Sequence, residues 1–201
     1  MNEKEMNAAE DLAYIKQIIT DSKNIIIHNG MGFIIWGICI TIALVITYIH
    51  IVSRIYLYIN YVWILLVAIG FGFSIWENLR KIRKARVSTF VGKLTGAVWF
   101  SSAISILIIG FVAPLFHVYH QVYISPLVCL ILAIGYFLTG FLLQQYWISI
   151  LSIFWWLGAV VIFIFPTKES LLVMAVMMLF LQTIPGIILY IKSRKETKSE
   201  A

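Results

Sequence analysis

The sequence predicts an all-α polytopic membrane protein, with six transmembrane helices arranged as three hairpins and an amphipathic cytoplasmic helix at the N-terminus. Composition, the lengths of the apolar segments and the distribution of positive charge all lead to this fold class. Of the 201 residues, 62% are hydrophobic and only 12% are charged, and the mean hydropathy is +0.96. A water-soluble chain of this size has too small a core to hide so much apolar surface, so lipid must be the solvent for most of it.

Residues 1–24 form the polar segment in which we expect the amphipathic helix. Leu12, Ile15 and Ile19 recur at helical spacing and fall on one side of that helix. The segment holds five acidic residues against three lysines, so anionic lipid would repel it. A helix lying on the membrane surface is one interpretation. Docking against the basic segment described below is the other, and the charge favours docking.

Six apolar segments follow, and each is long enough as a helix to cross a hydrocarbon layer about 30 Å thick. We place them at residues 30–51, 56–76, 94–116, 122–143, 147–165 and 171–191, within a transmembrane domain that occupies residues 25–191. Residues 192–201 form a polar tail, which we expect to be cytoplasmic. Pro166 closes the fifth segment, and we expect Pro185 to kink or open the sixth.

A strongly basic segment, residues 77–93, lies between the second and third apolar segments. It holds six of the fifteen Lys and Arg residues and a single acid. Positively charged loops stay on the cytoplasmic side, so this segment orients all the others. With six spans, thirteen of the fifteen basic residues and both termini fall on that side. The sequence therefore predicts a multi-pass protein of the cytoplasmic membrane with both termini in the cytoplasm.

Five clustered side chains of the basic segment make a candidate interaction surface. They are Arg80, Lys81, Arg83, Lys84 and Arg86. The cluster suits contact with anionic lipid headgroups or with a protein partner at the cytoplasmic face. Nucleic acid is not an expected partner, because no basic region here combines interleaved aromatic residues with a soluble fold.

Two of the apolar segments carry similar stretches of sequence. Residues 68–74 read AIGFGFS and residues 133–139 read AIGYFLT, 65 positions later. Trp36-Gly37 in the first apolar segment is likewise similar to Trp156-Leu-Gly158 in the fifth. Three hairpins in the same orientation would explain both matches.

Small residues recur along the third apolar segment at positions suited to close helix contact. Gly92 and Gly96 are four apart, and Ala103 and Gly110 continue the stripe at steps of seven. Helices in lipid associate through such residues because their backbones can approach closely. We expect this stripe to pack against a neighbouring helix of the same chain.

Four residues of the fifth and sixth apolar segments are candidates for a groove that takes an apolar or lipid-like ligand. They are Trp155, Trp156, Gln182 and Pro185. Consecutive tryptophans must divide between two faces of a helix, and packing in the core is the alternative role for at least one of them. The groove would lie where Pro185 opens the sixth helix.

Residues able to carry chemistry are scarce. Between the expected interfaces no apolar segment contains Asp, Glu, Lys, Arg or His, which argues against an ion channel or a proton-driven transporter. His117 and His120 lack a third metal ligand nearby in sequence, and Cys39 and Cys129 fall deep in apolar segments, where free thiols are expected. We therefore expect no catalytic residue, no metal site and no cofactor.

Parts of the chain resemble known bacterial membrane proteins. Residues 9–16 (AEDLAYIK) and 29–37 (NGMGFIIWG) resemble the opening of small bacterial multi-pass proteins without an assigned function. Residues 154–190 resemble a hairpin of HdeD-like membrane proteins, with aromatic residues, Gly158 and Pro166 before an apolar helix. That family is built from paired-helix repeats and is linked with acid stress. The resemblance implies a bacterial inner-membrane protein with paired helices.

Two classes of function fit these features. The first is a non-enzymatic integral membrane protein that acts through protein or lipid interactions, as a subunit of a larger complex or as an envelope-stress factor. The second is a carrier or binder of apolar or lipid-like small molecules. A cavity that reaches the middle of the membrane between the fifth and sixth helices would favour the carrier. A closed bundle with an exposed cytoplasmic surface would favour the interaction protein.

Overall fold

The computed structural model describes residues 30–54, 58–83 and 90–199. Every regular element in this part of the chain is helical, and six helices are long and apolar enough to cross a membrane. The predicted all-α fold class with six spanning helices is confirmed. Apolar segments fold this way because a bilayer offers no water to the backbone, and a helix satisfies its own N–H and C=O groups.

The six helices, named α1 to α6 in chain order, overlap the six predicted spans. They are α1 (Gly30–Val52), α2 (Ile59–Arg83), α3 (Phe90–Leu115), α4 (Gln121–Leu142), α5 (Tyr146–Ile164) and α6, which begins at Ser170 and ends at Ser199. Three connections turn at a residue with positive φ, namely Arg54 (56°), His117 (52°) and Gln144 (52°). A left-handed residue just past a helix end is a common way to stop the helix.

Two helices continue beyond the predicted spans into polar sequence. Helix α2 ends at Arg83 rather than at residue 76, so it includes Lys81 and the first half of the segment predicted as a basic loop. Helix α6 likewise runs through the predicted tail to Ser199. Arg, Lys, Glu and Leu are good helix formers because they lose little rotamer freedom in a helix, so water in place of lipid does not end the helix there. The predicted helix of residues 1–24 lies outside the described residues.

Each of two helices contains a π-helical segment just before a proline. In α3 it spans Ile108–Val112, ahead of Pro114, and in α6 it spans Met178–Thr183, ahead of Pro185. Proline has no N–H to donate to the carbonyl one turn earlier, so the backbone upstream is free to widen. The opening expected at Pro185 is thus present, and the sequence analysis missed the equivalent one at Pro114.

Side-chain hydroxyls donate to carbonyl groups within both widened segments. The Tyr119 hydroxyl donates to the Ile109 carbonyl, and Thr183 Oγ1 donates to the Met178 carbonyl at 3.3 Å. In lipid, such extra bonds compensate for a disturbed helix ladder. The hydroxyls therefore stabilise the π-helical geometry rather than offering free polar groups to a ligand.

The core of the bundle is formed mainly by α1, α4, α5 and α6. Helix α4 packs along α5, and α1 packs along α6 as well as against α2. The buried residues that meet in this core include Leu44, Cys129, Tyr136, Trp155, Ala159 and Met174. Helices α2 and α3 are peripheral, since only 6% of each apolar span is buried, compared with 50% for α4.

The prediction that the small-residue stripe on α3 packs against a neighbouring helix is wrong at Gly96 and Gly110. Nothing lies within 4 Å of a Cβ built on Gly96 or Gly110. Helix α3 instead buries Val91, Thr95 and Ser102, which form a neighbouring stripe with the same periodicity. Spacing alone does not separate two parallel stripes of small residues on one helix, and the neighbours that α3 meets decide between them.

Small residues do bring backbones together where α1 crosses α6. A Cβ built on Gly186 would lie 2.9 Å from the Gly30 carbonyl oxygen and 2.9 Å from the Ile34 nitrogen. Only a residue without Cβ fits at this distance. The glycine that follows Pro185 is therefore a packing residue for α1.

Candidate functional sites

One end of the bundle gathers the beginnings of α1, α3 and α5 and the ends of α2, α4 and α6. Val91, Leu143 and Leu189 form a buried cluster there, with Trp147 packed against it. Gly30 belongs to the same end, because a Cβ built on it would lie 2.6 Å from the Tyr190 nitrogen. Consecutive helices therefore alternate in direction, as the charge count predicts.

We call this end the basic end, and it carries described basic side chains from three helices. Arg80, Lys93 and Lys192 are exposed there. At the opposite end the described basic residues are Arg54 and Lys168. The charge asymmetry seen in the sequence is thus an asymmetry between the two ends of one packed bundle.

Arg80 of the predicted interaction cluster contacts an aromatic ring of its own helix. Its guanidinium carbon lies 5.4 Å from the centre of the Trp76 ring, within the range of a cation–π contact. Trp76 is itself 53% exposed, as expected for a residue at the membrane–water boundary. Of the other cluster residues, Lys81 and Arg83 lie on the last turn of α2, and Lys84 and Arg86 lie outside the described residues.

The four residues predicted to line an apolar groove do not lie together. Trp155 is fully buried, Gln182 is 5% exposed and Pro185 is buried. Trp156 is 37% exposed and lies on the outer surface of α5. The prediction that the two tryptophans face different sides of the helix is confirmed. Trp155 and Gln182 belong to the packed interior, whereas Trp156 faces lipid.

Tyr136 connects the two interior residues, and the sequence analysis missed it. Its ring centre lies 6.0 Å from that of Trp155, and its hydroxyl donates to Gln182 Oε1 at 3.4 Å. Phe33 and Trp99 pack edge-on against the same ring, at 5.7 Å each. The signal was available, because Tyr136 lies within the second of the two similar stretches. The aromatic rings fill the interior, so these residues form a packed core.

The first similar stretch joins α2 to α1. The Trp36 indole N–H donates to Ser74 Oγ at 3.0 Å. Four residues before that serine, a Cβ built on Gly70 would lie 3.0 Å from the Trp36 ring. Gly70 therefore leaves space for the ring, and Ser74 accepts a hydrogen bond from the indole N–H. We call this arrangement of tryptophan, glycine and hydroxyl an indole lock.

The second similar stretch joins α4 to α3 in the same way. The Trp99 indole N–H donates to Thr139 Oγ1 at 3.0 Å. A Cβ built on Gly135, four residues earlier, would lie 3.6 Å from the Trp99 ring. The two stretches that match in sequence thus form matching contacts. Trp155 of α5 does not form an indole lock. Its indole N–H is buried without a hydrogen-bond partner among the described residues.

The end opposite the basic end holds the predicted histidine pair and an ion pair. Lys168 Nζ lies 3.9 Å from Glu169 Oε1. A backbone hydrogen bond lowers the pKa of Glu169, and Thr167 adds to this effect, so the carboxylate stays charged. Around His117 and His120, as elsewhere in the described chain, no three metal-binding side chains come together.

Two depressions formed by the described residues are shallow and lie on the surface. One, of about 260 Å³, is lined by Tyr58, Asn60, Tyr61 and Gln121. The other, of about 310 Å³, lies between α4 and α5 and is lined in part by Trp156. Neither has a lining residue from α6, so neither is a cavity between α5 and α6 of the kind that would favour a carrier.

Comparison with known proteins adds no identification. The chain matches no known protein family, no curated protein and no solved structure.

Proposed function

We propose that this protein is a non-enzymatic integral membrane protein of the bacterial inner membrane that acts through contacts at its basic end. The observation that carries the proposal is the packing of Trp155, Gln182 and Pro185 into the interior, together with basic side chains exposed at one end. A filled core with charge collected at one surface favours an interaction protein over a carrier. By the positive-inside rule the basic end is cytoplasmic, and so are both termini.

The contacts we propose are with anionic surfaces. The Arg80 guanidinium lies over the ring of the interfacial Trp76. The basic residues that follow in sequence continue the cluster beyond the end of α2. Arg and Lys near a membrane surface each attract anionic headgroups by about 1 kcal/mol. A protein partner with an acidic surface would use the same side chains. The roles of complex subunit and of envelope-stress factor both fit this arrangement.

The acidic segment of residues 1–24 is a further proposed contact of the same cluster. Its net negative charge matches the positive charge of Arg80, Lys81, Arg83, Lys84 and Arg86, and it enters the bundle through Gly30 at the basic end. Exposed ion pairs contribute only about 0–1 kcal/mol each, so the apolar side of the segment must supply most of the stabilisation. Crosslinking from an Asp11→Cys variant to a cysteine at Arg80 tests the contact, and labelling of Ile15 by a lipid-phase probe instead would contradict it.

A five-residue substitution tests the proposed function as a whole. Replacing the cluster Arg80, Lys81, Arg83, Lys84 and Arg86 by Gln should abolish the stoichiometric co-purification of an acidic protein or the enrichment of anionic lipid. Quantitative mass spectrometry of protein and lipid from the same membranes measures both. The matched control is Arg54→Gln with Lys168→Gln at the opposite end, which should leave both unchanged.

Topology must be checked in the same variants, because the substituted charges also orient the chain. Cysteine accessibility within residues 117–121 and after residue 199 should report opposite sides of the membrane. If topology is retained and neither protein nor anionic lipid depends on the cluster, the proposed function is wrong.

A further inference from the structure

A groove on the outer surface of the α4–α5 pair is separate from the basic cluster and has a defined shape. It runs along α5 between Tyr146 and Trp156, with Ile150 and Ile153 between them and Phe137 contributed by α4. The Trp156 and Phe137 ring centres lie 5.9 Å apart and form its inner end. Its volume is about 310 Å³.

The floor of the groove contains two serines whose hydroxyl groups donate to backbone carbonyls. Ser149 Oγ donates to the Phe137 carbonyl at 3.3 Å, and Ser152 Oγ donates to the Ser149 carbonyl at 2.6 Å. Each hydroxyl proton therefore has a backbone partner within the protein. The groove offers no unsatisfied donor from these two serines, and its walls are aromatic and aliphatic.

At Ser149, one of the residues that line the groove, α4 and α5 approach closely. A Cβ built on Gly140 would overlap Ser149, and it would lie 3.0 Å from the Gln145 carbonyl oxygen. Small residues at the contact and large residues on either side leave a trough between two walls. This geometry comes from the packing of α4 along α5, which is extensive.

We propose that this groove binds one acyl chain of a membrane phospholipid, with the headgroup beside Tyr146. The length fits, since Tyr146 and Trp156 are ten positions apart and are therefore separated by about 15 Å along a helix, half of the roughly 30 Å hydrocarbon layer. A single chain extending from the interface to the middle of the bilayer would fill it from end to end. Tyr146, 75% exposed, begins α5 at the basic end, where a phenol can contact a headgroup.

The volume of the groove is close to that of one hydrocarbon chain. A helix about 10 Å across fills about 1,200 Å³ over a 15 Å length. A hydrocarbon chain about 4 Å across, the van der Waals separation of carbon atoms, fills only about 200 Å³ over the same length. The groove, at about 310 Å³, has room for one such chain, whereas it could enclose only side chains of a helix.

Photo-crosslinking in nanodiscs tests the proposal. The probe is phosphatidylglycerol with a diazirine either near the carboxyl end or near the methyl end of one chain. The first should label the peptide around Tyr146 and Ile150, and the second the peptide around Ile153 and Trp156. Both should saturate, and unlabelled phosphatidylglycerol should compete at least fivefold. Labelling that rises without saturation, or that is equally strong along α2, would show bulk lipid only and overturn the proposal.

A pair of substitutions on α5 provides the matched control. Ile153→Trp fills the groove and should reduce labelling about fivefold, whereas Val161→Trp, at a 47% exposed position outside the groove, should not. Melting in detergent verifies that both variants fold, and the competition result in the wild-type protein stands independently of them. A dimer that crosslinks through Ile153→Cys would assign the groove to a second copy of the chain and overturn the proposal. Because Arg80 is not involved, this test and that of the proposed function fail separately.

Discussion

Among the described residues, an indole lock joins α1 to α2 and another joins α3 to α4, but none joins α5 to α6. Trp36 bonds to Ser74 in the first and Trp99 bonds to Thr139 in the second. In α5 the Trp155 indole is buried without a partner among the described residues. Lipid supplies no hydrophobic force between helices, so each pair needs either a directed bond or very close packing. The locks supply the bond for the two peripheral helices.

Helices α5 and α6 pack more extensively against helices of other hairpins than against each other. Gly140 of α4 lies directly against Ser149 of α5, and Gly186 of α6 lies directly against Gly30 of α1. The first two hairpins therefore use a directed hydrogen bond with a glycine under the ring, whereas the third relies on backbone approach to other hairpins. Internal similarity in the sequence marks the local contacts within hairpins. It does not mark the contacts that assemble the hairpins into a bundle.

The largest effect is expected where the backbone approach is closest. Gly140→Val places side-chain atoms into Ser149 of α5, and overpacking of this kind destabilises by about 1–3 kcal/mol or more. The free energy of unfolding, measured by titration from mild detergent into SDS, should fall by about 3 kcal/mol. Gly96→Val on α3 is the control, because nothing lies within 4 Å of its Cβ position. Equal losses in the two variants would show that intrinsic helix effects, not packing, dominate.

An intermediate effect is expected from removing one indole lock. Thr139→Val keeps the shape of the side chain but removes the acceptor for the Trp99 N–H, which leaves a buried donor unsatisfied. Hydrogen bonds between membrane helices contribute about 0.6 kcal/mol on average and up to about 1.7, so a loss in that range is expected from the same unfolding titration.

Thr95→Val is the matched control for this lock on the same helix pair. The Thr95 hydroxyl is buried without a hydrogen-bond partner among the described residues. Replacing it with a methyl group should leave the free energy of unfolding unchanged or raise it slightly. A double-mutant cycle with Trp99→Phe isolates the lock, and a coupling energy near zero would refute its stabilising role.

The smallest effect is expected in the interior, at the contact between Tyr136 and Gln182. The hydroxyl–carbonyl distance of 3.4 Å is long for a hydrogen bond, so the bond is weak. Tyr136→Phe should change the free energy of unfolding by no more than about 0.5 kcal/mol, because the ring keeps its aromatic contacts. A loss of several kcal/mol would contradict this prediction. It would mean that the Tyr136 hydroxyl organises the interior and that a polar site lies beside Gln182.

Much of the fold could be predicted because it depends on local properties of the chain. Each of the six apolar segments is as long as the hydrocarbon layer is thick, and Pro185 lies where α6 widens. Six spans place most of the basic residues on one side, and this count predicted that consecutive helices alternate in direction. The cluster of Val91, Leu143 and Leu189 shows that alternation. The candidate sites were harder to predict, because they depend on which residues meet.

Particular residues show where sequence reasoning stopped. Spacing identified Gly96 and Gly110 as a packing stripe, although the packing stripe contains Thr95 and Ser102. Similarity between residues 68–74 and 133–139 pointed to a repeat, but nothing in the stretches identified Trp36 and Trp99 as the partners of their hydroxyls. A tryptophan some forty residues earlier becomes the partner only once both helices are placed.

By itself, the sequence determined that the described chain has six helices long and apolar enough to cross a membrane, and that its positive charge collects at one end. Hydropathy, helix length and charge act on each segment separately, so no neighbour is needed to decide them. Only the tertiary structure decided that Trp155 is buried while Trp156 faces out, and that α6 packs on α1. Lipid tails are as apolar as the side chains, so hydrophobicity does not choose the buried face of a membrane helix, and close packing and hydrogen bonds with specific neighbours make that choice.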